Sequence, residues 1–266
     1  MKDATQRLAV FVAAGLLVGP MVAAPGLAEI QPEEIIGIWL LDEGKGDVAK
    51  DSSGNGNHGD LDGDPHWVDG QFDGAIQFEI GDRVVLGDID AIDGFKSLTA
   101  MAWCKWDDQG GIAAAARIVS KQDVTKGDVG PFSLGSGWNG NRPTFWIHHG
   151  NWAGVHGATG LDDDDWHHVA GTFDGDEMRM YVDGIEEGVT KVGGVTGNST
   201  PEGVAIASDG FGREYWRGTI DEVAIFNIGM DVGDIEDIMN DGLSRLALSV
   251  SASRKLATTW AGLKAR

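Results

Sequence analysis

Asp162-Asp-Asp-Asp-Trp166-His-His-Val-Ala-Gly-Thr-Phe-Asp174-Gly175, continued by Met178-Arg-Met-Tyr-Val-Asp183-Gly184, decides the fold. Asp-Gly is a dipeptide that tolerates the positive φ of type I′ hairpin turns, and it occurs here twice, at 174–175 and 183–184. Between the two, Met178, Met180 and Val182 alternate with Glu177, Arg179 and Tyr181, the pattern of a strand with one buried face. The stretch therefore predicts consecutive antiparallel strands.

Working outward, short apolar or alternating runs recur between clusters of Gly, Asp and Asn. They are predicted at 35–41, 75–78, 83–86, 98–106, 117–121, 131–134, 144–148, 152–156, 166–173, 177–182, 204–207 and 216–226. So many short strands at this spacing argue for a two-sheet antiparallel β-sandwich or a barrel. The 41 glycines serve turns, because aromatic and β-branched residues remain plentiful between them. One short helix is predicted from Met230 to Gly242, with Asp231 as its cap, Ile235, Ile238 and Met239 as its apolar face, and Gly242 as its stop.

Three segments divide the chain. Residues 1–28 read as a secretory signal: Lys2 and Arg7, an apolar run from Leu8 to Leu17, then small residues up to Ala28. That run is shorter than the roughly 20 apolar residues a membrane span needs, so no span is expected once the signal is removed. Residues 29–242 form the domain, and 243–266 an appended basic tail. In the tail Leu256, Trp260 and Leu263 fall at helical spacing among Lys255, Lys264 and Arg266, either as an amphipathic helix or as a disordered extension.

The net charge is −22, and the tail carries five basic residues and no acid, so the body is more acidic still. Like-charge repulsion excludes nucleic acid as a partner of that body. An acidic surface suits either cation binding or plain solvation. Cys104 is the lone cysteine, so no internal disulfide is possible; alternating with Trp103, it is expected to pack as a small hydrophobe.

Four segments together resemble the laminin-G-like jelly roll of the concanavalin A-like lectin/glucanase superfamily. They are Ile38-Trp39-Leu-Leu-Asp42-Glu-Gly44 with Asp51-Ser-Ser-Gly-Asn55-Gly-Asn57-His58-Gly59; Val68-Asp-Gly70-Gln-Phe-Asp-Gly-Ala75-Ile-Gln-Phe78; the Trp166–Gly184 run; and Gly218-Thr-Ile-Asp221-Glu-Val-Ala-Ile-Phe226. The resemblance implies an exported recognition domain, in the secreted fraction or the cell envelope. It also implies a calcium ion tying the N-terminal loop to the last strand, with Asp51, Asn57 and Asp221 as ligands. The run from Asp51 to Asp62 by itself places oxygen side chains at alternate positions, as calcium loops do. Equally, its Asn-Gly and Ser-Gly pairs make turns, with Asp51 capping backbone amides.

The segment Gly135–His156 is the richest ligand candidate. Trp138 and Trp152 adjoin glycines and offer flat faces to sugar rings, while Asn139, Asn141 and Arg142 suit sugar hydroxyls. Of Phe145 and Trp146, in a strand, at least one is expected in the core. His167 and His168 point to opposite faces of a strand and cannot converge on one ion. Retaining glycosidases need two carboxylates about 5–5.5 Å apart, and glucanases of this fold place them in a Glu-x-Asp-x-Glu or Glu-x-Asp-x-x-Glu run. The sequence contains neither run. The expectation is a non-catalytic module for a glycan or glycosylated surface, stabilised by Ca²⁺. A structural or protein-interaction domain of the envelope is the alternative, and an atypical glycoside hydrolase the third.

Overall fold

The computed structural model describes residues 30–107, 115–123, 129–137, 140–194, 197, 203–252 and 255. The predicted leader and the tail positions Leu256, Trp260 and Leu263 lie outside the described residues.

The architecture is a β-sandwich of two eight-stranded antiparallel sheets. The first runs, in spatial order, Ile185–Lys191 (β14), Glu177–Val182 (β13), His167–Phe173 (β12), Leu98–Trp106 (β7), Gly218–Phe226 (β16), Gly74–Phe78 (β5) and His66–Asp69 (β4), with Ile35–Trp39 (β1) also paired to β16. The second runs Trp152–His156 (β11), Pro143–His148 (β10), Val129–Ser136 (β9), Arg117–Asp123 (β8), Val204–Ile206 (β15), Arg83–Gly87 (β6), Gly59–Asp62 (β3) and Val48–Ala49 (β2). The predicted strands are all present. The strands the sequence did not signal, β2, β3, β4 and β14, are short or polar; β14, Ile-Glu-Glu-Gly-Val-Thr-Lys, has no clean alternation.

Two apolar clusters hold the molecule. The main core fills the space between the sheets and includes Trp39, Phe78, Trp106, Phe132, Phe145, Phe173 and Trp216. Cys104 packs there as expected, and burial pushes its thiol far above the ordinary range. The second cluster covers the outer face of the first sheet, where Met101, Ala170, Tyr181, Ala224 and Phe226 meet Ile235, Ile238, Leu243, Leu246, Ala247 and Val250. This cover explains why Tyr181 is buried although it alternates out of the main core. The helix α1, Val232–Asp241, begins as predicted: Asp231 accepts the Asp234 amide at 3.1 Å, and Gly242 at φ 74° ends it. Residues 244–252 are helical again, so packing continues past Gly242 into the segment read as an appended tail.

The two Asp-Gly turns differ. Asp183 and Gly184 both have positive φ, 50° and 77°, as a type I′ turn demands. At the other, only Gly175 does; the connection is the longer Asp174–Asp176, with the Asp174 carboxylate accepting the amides of Asp176 and Glu177. The side-chain cap takes the place of the tight turn.

Candidate functional site

On the second sheet, β9, β10 and β11 are paired so that Trp146 lies opposite Gly154, His148 opposite Trp152, and Thr144 opposite His156. These residues share the outward face, while Phe145 and Ile147 point into the core. The result is an aromatic patch at the sheet edge. Trp146 meets Trp152 edge-on at 6.5 Å and His156 at 5.4 Å, and His148 meets Trp152 at 4.9 Å. Gly154 is required here: a Cβ would stand 2.5 Å from the Trp146 ring, which lies across it. Thr144 Oγ1 and His156 Nδ1 are 3.1 Å apart, and burial lowers the pKa of His156, so a neutral imidazole faces the patch near pH 7.

Of the residues singled out from sequence, Trp152 belongs to this patch. Trp138 and Asn139 lie outside the described residues. Asn141 donates from Nδ2 to the Asp162 carboxylate, and its carbonyl accepts the Leu161 amide, so it ties two loops together. Arg142 is exposed next to Pro143, at the end of β10 away from Trp152. Trp146, His148 and His156 completed the patch without being singled out. Period-two alternation from Phe145 was the signal that would have placed Trp146 and His148 together.

The predicted metal residues separate into two places. Asp51 Oδ1 accepts the amides of Ile38 (3.2 Å) and Ser53 (2.8 Å), and its Oδ2 accepts that of Asn57 (2.9 Å). The Asn57 side-chain Nδ2 donates to Ile36 O at 2.8 Å, and its backbone carbonyl accepts Trp39 Nε1 at 2.7 Å. These two residues brace the 51–57 loop against β1. Asp221 sits elsewhere, on β16 against the 69–74 turn, where Oδ2 accepts the Phe72 amide at 2.9 Å. Asp42 Oδ1 holds the same turn through the Gly74 amide at 2.8 Å.

Around that turn charge accumulates. Burial, joined by the charges of Glu222 and Asp42, pushes Asp221 up to about 8. Burial with the charges of Asp42 and Asp73 pushes Glu222 up to about 7. Asp221 Oδ1 is buried and has no hydrogen-bond partner. Across the same row, Trp103 Nε1 and His168 Nδ1 are also buried without one.

A second acidic group, Asp88, Asp90 and Asp93, has carboxylate oxygens within 4.8 Å of one another. There Lys121, fully buried, places Nζ 2.7 Å from Asp88 and 2.8 Å from Asp93. Beside it opens a cleft of about 680 Å³ lined by Glu33, Ile35, Ile36, Asn55, Asn57 and Asp90 among others. His167 and His168 diverge as predicted: His167 is bonded to Asp183 at 2.7 Å and Asp163 at 3.1 Å and raised to about 9, whereas burial lowers His168 to about 4.

Residues 78–236, more than half of the chain, match the family model described as the Concanavalin A-like lectin/glucanases superfamily. The chain belongs to that family. Among solved structures it is similar to domain 4 of AbnA, a GH43 extracellular arabinanase from Geobacillus stearothermophilus solved with arabinotriose. The TM-score is 0.61 at 17% identity, over 77% of this chain and 98% of that one. It is also similar to the binding domain of Paraclostridial Mosquitocidal Protein 1 (TM-score 0.62, 13% identity, 79% of this chain and 52% of that chain). A third is a botulinum neurotoxin type C structure concerned with two ganglioside molecules (TM-score 0.60, 14% identity, 79% and 51%). The chain thus spans about half the length of these toxin chains. A comparison with curated proteins returned no match.

Proposed function

We propose that the chain is an exported, non-catalytic module that recognises glycans through the outward face of β10 and β11. The observation that carries this reading is the patch of Trp146, His148, Trp152 and His156, aromatic rings with polar edges presented at a sheet edge. Sugar rings stack their C–H faces on such rings while nitrogen and hydroxyl groups meet their hydroxyls. The arabinanase domain bound to arabinotriose and the ganglioside-linked neurotoxin give the same fold a precedent for glycan contact. The recognition is reversible binding, with no covalent step.

Calcium belongs to the reading as a stabiliser. Fit is judged on the 69–74 turn: burial raises the pKa of Asp42, Asp221 and Glu222, the Asp42 charge adds to the rise at both Asp221 and Glu222, and Asp221 Oδ1 is a buried acceptor without a partner. A hard divalent cation takes such oxygens. Asp42 and Asp221 would hold it, while Asp51 and Asn57 support the neighbouring loop.

Isothermal titration of residues 29–266 with arabinotriose and related oligosaccharides tests the glycan reading, with Trp146→Ala and Trp152→Ala expected to weaken binding at least tenfold. Binding unchanged in both would sink the patch as the site. The envelope-interaction alternative has its own support in the edge strand β14, whose Ile185 and Val189 are 66% and 50% exposed. Pull-down dependence on those two residues, with no glycan binding, would favour it.

A further inference from the structure

The cleft of about 680 Å³ beside Asp90 takes no part in the aromatic patch or the 69–74 turn. Its lining residues Glu33, Asp90, Ala91 and Asn227 are exposed, so a ligand from solvent reaches them. Two short 3₁₀ turns form its walls, Pro32–Glu34 ahead of β1 and Asp90–Ile92 after β6. Each wall is pinned by a side chain distant in sequence. Asn227 Nδ2 donates to Glu33 O at 3.0 Å, and the Asn227 amide donates to Glu34 O at 2.9 Å. Lys121 Nζ holds the other wall through Asp88 and Asp93 and donates to Ile89 O at 3.2 Å. Walls fixed in this way spare a ligand the cost of ordering them.

The lining is one-sided in charge. Glu33, Asp88 and Asp90 bring carboxylates to it, and among the described residues no lysine or arginine lines it. Among those residues the carboxylates of Glu33 and Asp90 accept no hydrogen bond. The carboxamide nitrogens of Asn57 and Asn227 are turned to the main-chain carbonyls of Ile36 and Glu33, so Oδ1 is the end each leaves for a ligand. Beside the acids, Pro32 and Ala91 add apolar surface. Such a lining suits a ligand with a cationic, donor-rich head on an apolar stem. A metal ion fits less well. The Lys121 ammonium already stands between Asp88 and Asp93 and repels a second cation there, and the space is far larger than one ion fills. Of the organic cations, a guanidinium brings five donors in a planar fork, enough for carboxylates on both walls, whereas an ammonium brings three.

We propose that this cleft receives an arginine side chain of a basic protein segment, its guanidinium bonded to the Glu33 and Asp90 carboxylates and its methylene stem against Pro32 and Ala91. The volume exceeds that of one side chain and leaves room for the residues flanking the arginine. The net charge of −22 draws a basic segment toward the surface before it docks. The inference stands on the cleft alone and is independent of the glycan reading.

The test titrates residues 29–266 with the peptide acetyl-Gly-Ala-Arg-Ala-Gly-amide and with its lysine and citrulline counterparts, the last keeping the shape of arginine without the charge. The arginine peptide is expected to bind about tenfold more tightly than the citrulline peptide, with lysine between them. Glu33→Gln and Asp90→Asn are each expected to weaken the arginine peptide about tenfold while melting no lower than wild type, since neither carboxylate bears a hydrogen bond among the described residues. Asp165→Asn removes an exposed acid outside the cleft, in the loop before β12, and is expected to leave the affinity unchanged. Equal binding of the arginine and citrulline peptides would overturn the cationic assignment, and equal binding of the lysine peptide would overturn the guanidinium. If Asp165→Asn weakened binding as much as Asp90→Asn, the attraction would belong to net charge and the cleft would fall as its site. Calcium binding that is lost in Asp90→Asn, without binding of the arginine peptide, would make the cleft a metal site and overturn the proposal. Failure of the wild type to bind the arginine peptide at all would overturn it as well.

Discussion

Gly154 is the residue on which the aromatic patch turns. Its missing side chain is the space in which the Trp146 ring lies, with the nearest ring carbon 2.5 Å from where a Cβ would be. Gly154→Ala must push that ring off its neighbours. The expected cost is about 1–3 kcal/mol of stability, readable in urea unfolding, together with weaker sugar binding. Sequence could reveal that a Trp, a Gly and a His stood close in the chain. It could not reveal that Gly154 would pair with Trp146, because register depends on where the 149–151 turn falls. Asp51 shows the opposite limit. Its spacing from Asn57 fits a metal loop and an amide-capped turn equally well, and only the positions of the Ile38, Ser53 and Asn57 amides separate them.

At the scale of elements, α1 and the helical residues after it form one lid over the first sheet. Asp231→Ala should cost about 1 kcal/mol through the lost cap, measured as a shift in the denaturation midpoint. Ending the chain at Gly242 should cost far more, because Leu243, Leu246, Ala247 and Val250 leave the cluster that covers Tyr181 and Phe226. At about 25 cal/mol per Å² of apolar surface, the loss is on the order of 5 kcal/mol, and a retained midpoint would refute it. The strands were legible wherever one face was polar and the other apolar, as in Glu177–Val182. The short or polar strands β2, β3, β4 and β14 were not, since they carry weak patterns, whereas the edge strand β11 was legible. The tail misled for a related reason: Leu243 to Val250 has few charges, and its basic character comes from residues further on.

For the whole molecule, pH dependence follows from four buried groups. One of them, His167, is raised to about 9 by Asp183 and Asp163, so its stabilisation is full below about pH 6.5 and is lost toward 9, in the same direction as that of the two carboxylates. Asp221 and Glu222 titrate near 8 and 7, above their unfolded values near 4, so the native state binds more protons between those limits. Their contribution is full below about pH 4 and is lost as pH rises through 7 to 8. His168 acts oppositely, being held neutral to about 4, and it lowers stability only below its unfolded value near 6.5. Above pH 6.5 the carboxylates act without that opposition. The thermal midpoint should therefore fall from pH 6.5 to 8.5 in EDTA, and Asp221→Asn should flatten the slope. Millimolar calcium, favouring the ionised carboxylates, should reverse it; an unchanged slope with calcium would remove the metal from the account. The excess of acid predicts in addition that moderate NaCl raises the midpoint by screening self-repulsion.

The ammonium of Lys121 between Asp88 and Asp93 gives the molecule a counter-ion that cannot diffuse away. Among the described residues, no lysine or arginine is hydrogen-bonded to the Asp42 and Asp221 carboxylates that hold the turn at 69–74. One acidic region is neutralised by an ammonium of the chain itself; on the proposed reading the other takes its cation from solvent. Hydrogen exchange in chelator should accordingly quicken at Phe72 and Gly74 while the amides from 88 to 93 keep their rates. On the proposed calcium reading, scarcity of that ion would loosen the 69–74 turn and leave the 88–93 segment held by its own lysine.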